Sequence, residues 1–281
     1  MSTEDKPSWY LKEVKSINKD AQNLLESYSG LATNEVLPHV LSLRDEAFKV
    51  FYYPCIGQLR FLSFHLPRVP FYNKVLDRLR SDPTAGFLDA GCCFGQELRF
   101  LANQGIPGSQ LFGCDIEQVF VDLGYRLFLD RERLHATFAI GNLTTVPGQD
   151  GTSQLDEKLG DKIDVVFASS LFHLWDYERQ LRAAVRLVGL CRSRTGVMIT
   201  GRQMGSVLAG HYEMKAIKDG AMQYRHNIES MKGFWSDVGE ATGTQWKVEA
   251  GLYLAEELEQ TKDAAWADSN IRMIWWCATR L

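Results

Sequence analysis

Hydrophobic residues recur along the chain at two different spacings. Over residues 1–80 they follow a helical spacing, as in "NEVLPHVLSLRDEAFKVF", which predicts a mainly helical N-terminal part. From residue 86 onwards, short apolar runs alternate with amphipathic stretches such as "DYERQLRAAVRLVGLC". The predicted strands are "GFLDAG", "LFGCDI", "ATFAIGN", "KIDVVFAS" and "GVMITGR". Strands connected through helices pair in parallel, so we expect an α/β fold with helices on both faces of the sheet.

The last part of the chain breaks this alternation. The strand-like runs "QWKVEAGLYL" and "IRMIWWCATRL" are separated by a segment too short for a comfortably packed crossover helix. An antiparallel pair is therefore predicted, with Trp275 and Trp276 on opposite faces of the sheet. The change of pattern divides the chain into a helical region, residues 1–80, and an α/β domain, residues 81–281.

Composition narrows the classes of function. The 281 residues carry a net charge of −4, which offers no basic field to nucleic acid or acidic lipid. No apolar run reaches the roughly 20 residues of a membrane span, and the polar N-terminus does not resemble a signal peptide, so a cytoplasmic protein is expected. The six cysteines show neither C-x-x-C nor matching histidine spacing, and no carboxylate cluster is apparent; no metal is expected.

The stretch "FLDAGCCFGQEL" ends the first predicted strand in a glycine-rich turn. Gly91 and Gly95 lack a Cβ atom, so the backbone can turn tightly and approach a ligand closely. The N–H groups of the following helix, from Gln96 onwards, point back at the same place. Ligands bind at such strand ends in doubly wound sheets. The turn therefore predicts a ligand cradle in which Cys92 and Cys93 are small walls rather than reactive thiols.

The spacing of the glycines selects among ligands. A nicotinamide fingerprint would be G-x-G-x-x-G, and two of its three glycines are replaced here by Cys93 and Gln96. The pattern D-x-G-x-x-x-G, which begins at Asp89, is instead similar to motif I of class I S-adenosylmethionine-dependent methyltransferases, with Cys93 at the usual middle glycine. Asp115, 24 residues beyond Gly91, can accept two hydrogen bonds from a ribose diol. Nicotinamide enzymes use the same device, so Asp115 indicates an adenosyl ligand without choosing between the two.

Several stretches together resemble a fungal group of small-molecule O-methyltransferases that includes carboxyl-esterifying enzymes of meroterpenoid pathways. They lie between residue 86 and about residue 253: "FLDAGCCFGQELR", "DLGYRLFLDR", "FHLWDYERQ", "GRQMGS", "YRHNIES" and "GEATGTQWKVEA". The resemblance implies the Rossmann-like class I methyltransferase fold, a mostly parallel seven-stranded sheet with one antiparallel edge strand, with N-terminal helices over the active site. It also implies S-adenosyl-L-methionine as the cofactor and a small-molecule carboxylic acid, aromatic or meroterpenoid-like, as the substrate.

The same resemblance implies particular site residues. The cofactor site would comprise Asp89, Gly91, Cys92, Gly95, Gln96, Asp115, Ile116, Asn142, Leu143 and Ser169. The catalytic side would comprise His173, Arg202 and Gln203. The substrate site would draw on Tyr10, Tyr52, Tyr53, His211 and Tyr212. Because Trp9 and Tyr10 are aromatic residues near an otherwise polar N-terminus, we also expect this segment to fold over the cofactor as a lid.

The chemical group that accepts the methyl group decides whether Arg202 or His173 is needed for the reaction. A carboxylate, with a reference pKa of about 4, is ionised at neutral pH and needs only orientation, for which the guanidinium of Arg202 is suited. A phenol, with a reference pKa of about 10, needs either a base, for which His173 is a candidate, or a strong local field. Gln203 is compatible with donating to a carboxylate oxygen.

Other functions stay open at this point. They are a phenolic O-methyltransferase of secondary metabolism, a nicotinamide-binding oxidoreductase on a similar fold, a non-catalytic adenosyl-binding protein and an enzyme that methylates a protein. The apolar N-terminal helices could also pair two copies in a homodimer.

Overall fold

The computed structural model describes residues 6–7, 9–145, 154–214, 221–255 and 268–281. The N-terminal part is helical, as its pattern predicts. Its helices are α1 (Lys19–Ser27), α2 (Thr33–Val50), α3 (Pro54–Gly57) and α4 (Tyr72–Ser81). α1 begins at Asn18, whose side-chain oxygen accepts the Ala21 N–H at 2.8 Å and so caps the first turn.

Strands and helices alternate in the remainder of the chain. The strands are β1 (Phe87–Ala90), β2 (Leu111–Asp115), β3 (Thr137–Ile140), β4 (Val165–Ser169), β5 (Met198–Ser206), β6 (Gly210–Glu213), β7 (Met222–Arg225), β8 (Trp246–Tyr253) and β9 (Ile271–Arg280). The helices are α5 (Gln96–Asn103), α6 (Gln118–Phe128), α7 (Gln154–Leu159), α8 (Tyr177–Leu190) and α9 (Ile228–Thr242). β6 and β7 form a separate hairpin that the sequence pattern did not predict.

Within the described residues, seven strands form one sheet in the order β3–β2–β1–β4–β5–β9–β8. β1 to β5 pair in parallel, whereas β9 runs antiparallel to both β5 and β8. The predicted fold class and the predicted antiparallel pairing of the last two runs are confirmed. Chain order reverses between β1 and β4, because β2 and β3 continue on one side of β1 and β4 and β5 on the other. Ligands of such sheets bind at this switch point, beyond the carboxyl ends of the strands.

The antiparallel strand is not at the edge, where we had predicted it. β8 occupies the edge, and β9 returns between β8 and β5. The burial of the two strands explains this order. Trp276 and its neighbours make β9 largely buried, as an inner strand requires, whereas the residues of β8 are half-buried or exposed. Trp275 and Trp276 pack into different cores on opposite faces of the sheet, as predicted.

Three of the four hydrophobic clusters in the described residues support this arrangement. α7, α8 and α9 cover one face of the sheet, and α4 and α5 cover the other. A third core, which we call the N-terminal core, joins α1 and α2 to α6. Cys93 and Phe94 of the glycine turn also pack into the N-terminal core. Among the helices that the structure describes, none combines the length and the apolar character needed to cross a membrane.

Candidate active site

The glycine turn leaves β1 at the switch point through three left-handed residues. Gly91 has φ of 75°, Cys93 of 49° and Gly95 of 66°. A Cβ atom at Gly91 would lie 2.9 Å from Leu171 Cδ1, so the side chain of Leu171 would have to move, and the positive φ itself favours glycine. Cys93 adopts the left-handed conformation that the usual middle glycine of this motif would adopt without strain. The turn therefore keeps the expected backbone shape despite the substitution.

The two cysteines of the turn are inert walls. Burial raises the pKa of both thiols well above the ordinary range, so both stay protonated. All six cysteines of the chain are free thiols. In the described part of the chain, no group of three or more His, Cys, Asp or Glu side chains is arranged to hold a metal ion.

Three buried oxygen atoms near the switch point have no hydrogen-bond partner in the described structure. They are Asp89 Oδ2 on β1, Gln96 Oε1 at the start of α5 and Ser169 Oγ at the end of β4. Burial, followed by the charges of Glu97 and Asp115, raises the pKa of Asp89 well above the ordinary range. Unpaired buried oxygens are costly. These residues therefore fit a ligand that brings ammonium and hydroxyl donors, as S-adenosylmethionine does.

Asp115 connects the end of β2 to the glycine turn. Its Oδ2 accepts the Cys93 N–H at 2.8 Å, and its Oδ1 accepts the Glu117 N–H at 3.2 Å. Each carboxylate oxygen can accept a further bond, so a ribose diol can still be held there. Burial raises the pKa of Asp115. Next to it, the side chain of Ile116 is 53% exposed, which offers an apolar surface to a flat base.

The turn after β3 carries the predicted cofactor residues Asn142 and Leu143. Asn142 is exposed, and its Oδ1 accepts both the N–H (2.9 Å) and the hydroxyl (2.8 Å) of Thr144. Leu143 is buried in the core beneath α7 and α8. The side-chain oxygen of Asn142 thus shapes its own turn, and Leu143 serves packing.

Arg202 lies at the end of the sheet beside the predicted cofactor residue Ser169, its partner in register on β4. Its side chain is 3% exposed. Nη1 donates to Ser170 Oγ at 3.3 Å, and Nε donates to the Tyr253 hydroxyl at 3.1 Å. A guanidinium is thereby held in a defined orientation next to the switch point.

The structure does not bring Arg202 and Gln203 together. Adjacent residues of a strand point to opposite faces, so Gln203 faces the side of α8 and α9 while Arg202 shares a face with Trp275. Gln203 is fully buried, and neither atom of its amide group has a partner among the described residues. A joint catalytic role for Arg202 and Gln203 at one oxygen is therefore disfavoured.

His173 lies in the single helical turn that follows β4. Its Nδ1 is buried and has no hydrogen-bond partner in the part of the chain that is described. Burial, followed by the positive charges of Arg202, Arg225 and Arg60, lowers the pKa of His173 to about 3. The imidazole is thus neutral in a positively charged surrounding.

Residues that the sequence analysis missed complete this surrounding. Burial and then the charge of Arg202 lower the pKa of His65 well below the ordinary range. The fully buried carboxylate of Glu97 accepts the backbone N–H groups of His65 at 2.6 Å and Leu66 at 3.3 Å. Glu97 follows Gln96 in the motif and could have been noticed, whereas Arg60 and His65 lie on a segment without a motif and are brought here only by folding.

The predicted aromatic substrate residues are dispersed. Tyr10 is buried in the N-terminal core, with its hydroxyl donating to Asp45 and its ring 4.7 Å from that of Phe48. This packing gives Tyr10 a structural role rather than the predicted substrate contact or lid. Tyr52 is 49% exposed. Burial raises the pKa of Tyr53, and Cys55 and Asp115 add to the rise. The influence of Asp115 shows that Tyr53 lies near this predicted cofactor residue.

The hairpin residues also have partners of their own. The Tyr212 hydroxyl donates to the Leu208 carbonyl at 2.7 Å, and Arg225 stacks on the Tyr212 ring at 4.3 Å. His211 is exposed and meets the Tyr224 ring edge-on at 5.0 Å.

A surface cavity of about 770 Å³ lies between α9 and the start of the edge strand β8, away from the switch point. Its size therefore does not mark the active site.

Comparison with known proteins identifies the family of the chain. Residues 9–62 match a family described as the meroterpenoid methyltransferase N-terminal domain, and residues 88–189 match a methyltransferase domain. The chain is 40% identical to O-methyltransferase phiE of a fungal species (strain ATCC 74256), over 86% of this chain and 78% of that protein. It is 36% identical to O-methyltransferase atr3 of Stereocaulon alpinum, over 87% and 68% of the two chains.

Two further similarities extend the comparison. The asnovolin E/chermesin D methyltransferase nvfJ of Aspergillus novofumigatus is 34% identical over 83% of this chain and 81% of that protein. The fold is shared with the Burkholderia thailandensis 1,6-didemethyltoxoflavin-N1-methyltransferase, with a TM-score of 0.52 and 13% identity over 89% of this chain and 91% of the other. These relationships exclude the nicotinamide oxidoreductase considered above. The chain belongs to the S-adenosylmethionine-dependent O-methyltransferases of fungal secondary metabolism, with the class I methyltransferase fold.

Proposed function

We propose that the enzyme esterifies a carboxylate of a small, meroterpenoid-like metabolite by in-line methyl transfer. The observation that carries this proposal is the surrounding of Arg202, in which positive charge from arginines acts on two histidines held neutral and on the buried acid Glu97. Arg60 and Arg225 contribute to that charge at His173, and Arg60 and Arg68 contribute to it at His65. Such a surrounding favours an anionic substrate and disfavours a proton-accepting side chain.

The reaction of a carboxylate needs little acid–base chemistry. S-adenosylmethionine, when bound, supplies a methyl group on a positively charged sulfur. A carboxylate oxygen forms the bond to the methyl carbon as the carbon–sulfur bond breaks, and the products are a methyl ester and S-adenosylhomocysteine. No proton is transferred. The protein therefore needs to orient the carboxylate and exclude water, and such positioning can account for roughly 7–11 kcal/mol of a barrier.

A phenolic acceptor fits this site less well. A phenol has to lose a proton, and a general base works best when its pKa lies near the working pH. The pKa of His173 is about 3, which makes it a poor base at neutral pH. Arg202, by contrast, is held by Ser170 and Tyr253 in the manner that orienting a carboxylate requires.

The N-terminal region, residues 1–80, is proposed to shape the substrate site through Arg60 and His65. Its match to the meroterpenoid methyltransferase N-terminal domain supports this role. The description of that family, together with the relative nvfJ, which is named for asnovolin E and chermesin D, supports a small-molecule substrate of the meroterpenoid class. A homodimer formed through the N-terminal helices stays a prediction that light scattering would check.

The proposal is tested with pairs of aromatic and terpenoid substrates that carry either a free carboxyl group or only a phenol. Release of S-adenosylhomocysteine is expected with the acids alone, at a rate that is flat from about pH 6 to about pH 9 because a carboxylate stays ionised there. Arg202→Lys should lower kcat/KM by about tenfold or more, since the planar fork is lost. The matched control Arg182→Lys changes an exposed arginine on α8 and should leave the rate unchanged.

The alternative acceptor gives a distinct result. Phenolic methylation would appear as turnover of the phenols, a rate that rises with pH and a large loss of kcat in His173→Gln. Under the carboxylate proposal, His173→Gln should retain most of the kcat because no base is required. Turnover of the phenols alone would overturn the proposal.

A further inference from the structure

The outer side of the cofactor turn is covered by the N-terminal region. Phe94, in the middle of the turn, is fully buried in the N-terminal core, with its ring 4.5 Å from that of Phe61. Cys93 packs against the same core. The turn thus has one side toward the ligand and the other against residues that precede the sheet.

Arg99 holds the turn from beneath. Its guanidinium is fully buried and donates to the backbone carbonyl oxygens of Phe94 at 3.0 Å and Gly95 at 3.4 Å. The same guanidinium donates to both carboxylate oxygens of Asp130, at 2.9 and 3.1 Å. A Cβ atom at Gly95 would lie 2.5 Å from Arg99 Nη1, so the glycine at this position is what lets the guanidinium reach the turn. A bidentate pair of this kind fixes both position and orientation.

Asp130 carries the connection into the N-terminal region. The hydroxyl of Tyr28, which follows α1, donates to Asp130 Oδ2 at 2.9 Å. Burial raises the pKa of Tyr28, so the hydroxyl stays a donor. The rings of Tyr125, Phe128 and Phe138 surround the Arg99 guanidinium, which keeps water away from these bonds. Three consecutive hydrogen bonds thus lead from Tyr28 to the carbonyl groups of the cofactor turn.

We propose that Tyr28, Asp130 and Arg99 are positioning residues for the cofactor, so that the N-terminal region controls cofactor affinity as well as the substrate site. The turn has to be held in shape because it contains three left-handed residues, one of them Cys93. Docking of α1 supplies part of that restraint through Tyr28. This inference does not depend on which oxygen accepts the methyl group.

Tyr28→Phe tests the proposal, because it removes one hydroxyl group and keeps the ring. Tyr177→Phe is the matched control, since its hydroxyl also donates to a carboxylate, that of Asp237, on the opposite face of the sheet. The dissociation constant for S-adenosylhomocysteine, measured by calorimetry, should rise about tenfold in Tyr28→Phe. The dissociation constant should stay at the wild-type value in Tyr177→Phe, even when the two substitutions lower the melting temperature by similar amounts. Equal affinity in the two variants would overturn the proposal.

A second measurement guards against a variant that binds poorly only because it is unstable. Hydrogen exchange of the amides from Cys93 to Arg99 should accelerate in folded Tyr28→Phe and not in Tyr177→Phe. Arg99→Lys should raise the KM for S-adenosylmethionine more than it lowers kcat, because lysine retains the charge but loses the fork. Unchanged exchange in the turn, or a kcat loss at constant KM, would contradict a positioning role.

Discussion

The buried acid Glu97 should make the stability of the enzyme fall as the pH rises. Its carboxylate accepts the N–H groups of His65 and Leu66, which fastens the N-terminal region to the first turn of α5. Burial nevertheless raises its pKa from 4.5 to about 7. In the unfolded chain the acid ionises at the lower value. Between the two pKa values the folded protein holds a proton that the unfolded chain has released, so raising the pH lowers the free energy of unfolding.

The magnitude follows from the pKa difference. The shift from 4.5 to about 7 corresponds to about 3 kcal/mol over the whole window. Between about pH 5.5 and about pH 8 the loss from this group is about 2 kcal/mol. Glu97→Gln removes the titration and keeps one amide oxygen as an acceptor for a backbone N–H. The variant should therefore lose about 2 kcal/mol less than the wild type over this interval.

Urea unfolding at the two pH values measures both free energies. Glu249→Gln is the control, because Lys74 lowers the pKa of Glu249 and places its titration below the interval. Its pH dependence should match that of the wild type. If Glu97→Gln shows the wild-type dependence as well, Glu97 does not titrate in this window and the reasoning is refuted.

Three further predictions concern other sites. Gly91→Ala and Gly105→Ala both put alanine at positive φ (75° and 85°), at a cost of about 1–2 kcal/mol each, but only the first meets a side chain, at 2.9 Å. Calorimetry should therefore show weaker S-adenosylhomocysteine binding in Gly91→Ala alone, and equal weakening in both would contradict the steric argument. Burial lowers the pKa of His226 to about 3, so between about pH 7 and about pH 5 the unfolded chain gains a proton that the folded protein does not, at a cost of about 2 kcal/mol. His226→Asn should reduce this acid loss in urea unfolding, and an unchanged acid slope would count against it. Asp164→Asn leaves the partly exposed Arg78, Arg192 and Arg194 around a neutral side chain at the amino end of β4 and should cost about 1–3 kcal/mol in thermal unfolding. The cofactor affinity of the folded Asp164→Asn variant should be unchanged. A loss of affinity that accompanies the loss of stability would show that the ion pairs of Asp164 are coupled to the cofactor site.

Much of the fold could be predicted from the sequence, because the residue patterns that specify its strands and helices are local. Apolar runs of strand length between amphipathic helices require a sheet covered on both faces, whatever the remaining contacts. The motif from Asp89 to Gly95 likewise depends on backbone geometry that few residue types allow, so it predicted the left-handed turn that is proposed to hold the cofactor. The position of β9 inside the sheet was not predictable in this way, because the order of strands depends on which strand can be buried on both faces.

The residues of the candidate site show the same difference between what local sequence predicts and what tertiary packing decides. Sequence alone placed Asp115 and Ser169 at the carboxyl ends of their strands, since chain order puts them there. The sequence pattern ended β5 at Arg202, whereas β5 continues to Ser206 and the register with β4 brings Arg202 beside Ser169. Only the tertiary structure decided that Gln203 faces away from Arg202 and that Tyr10 packs in a core. It also brought Arg60 near His173 and His65 near Arg202, and it made His173 a poor base through burial and these charges. Burial and the charges of distant chain segments set a pKa, and no local pattern of residues records either one.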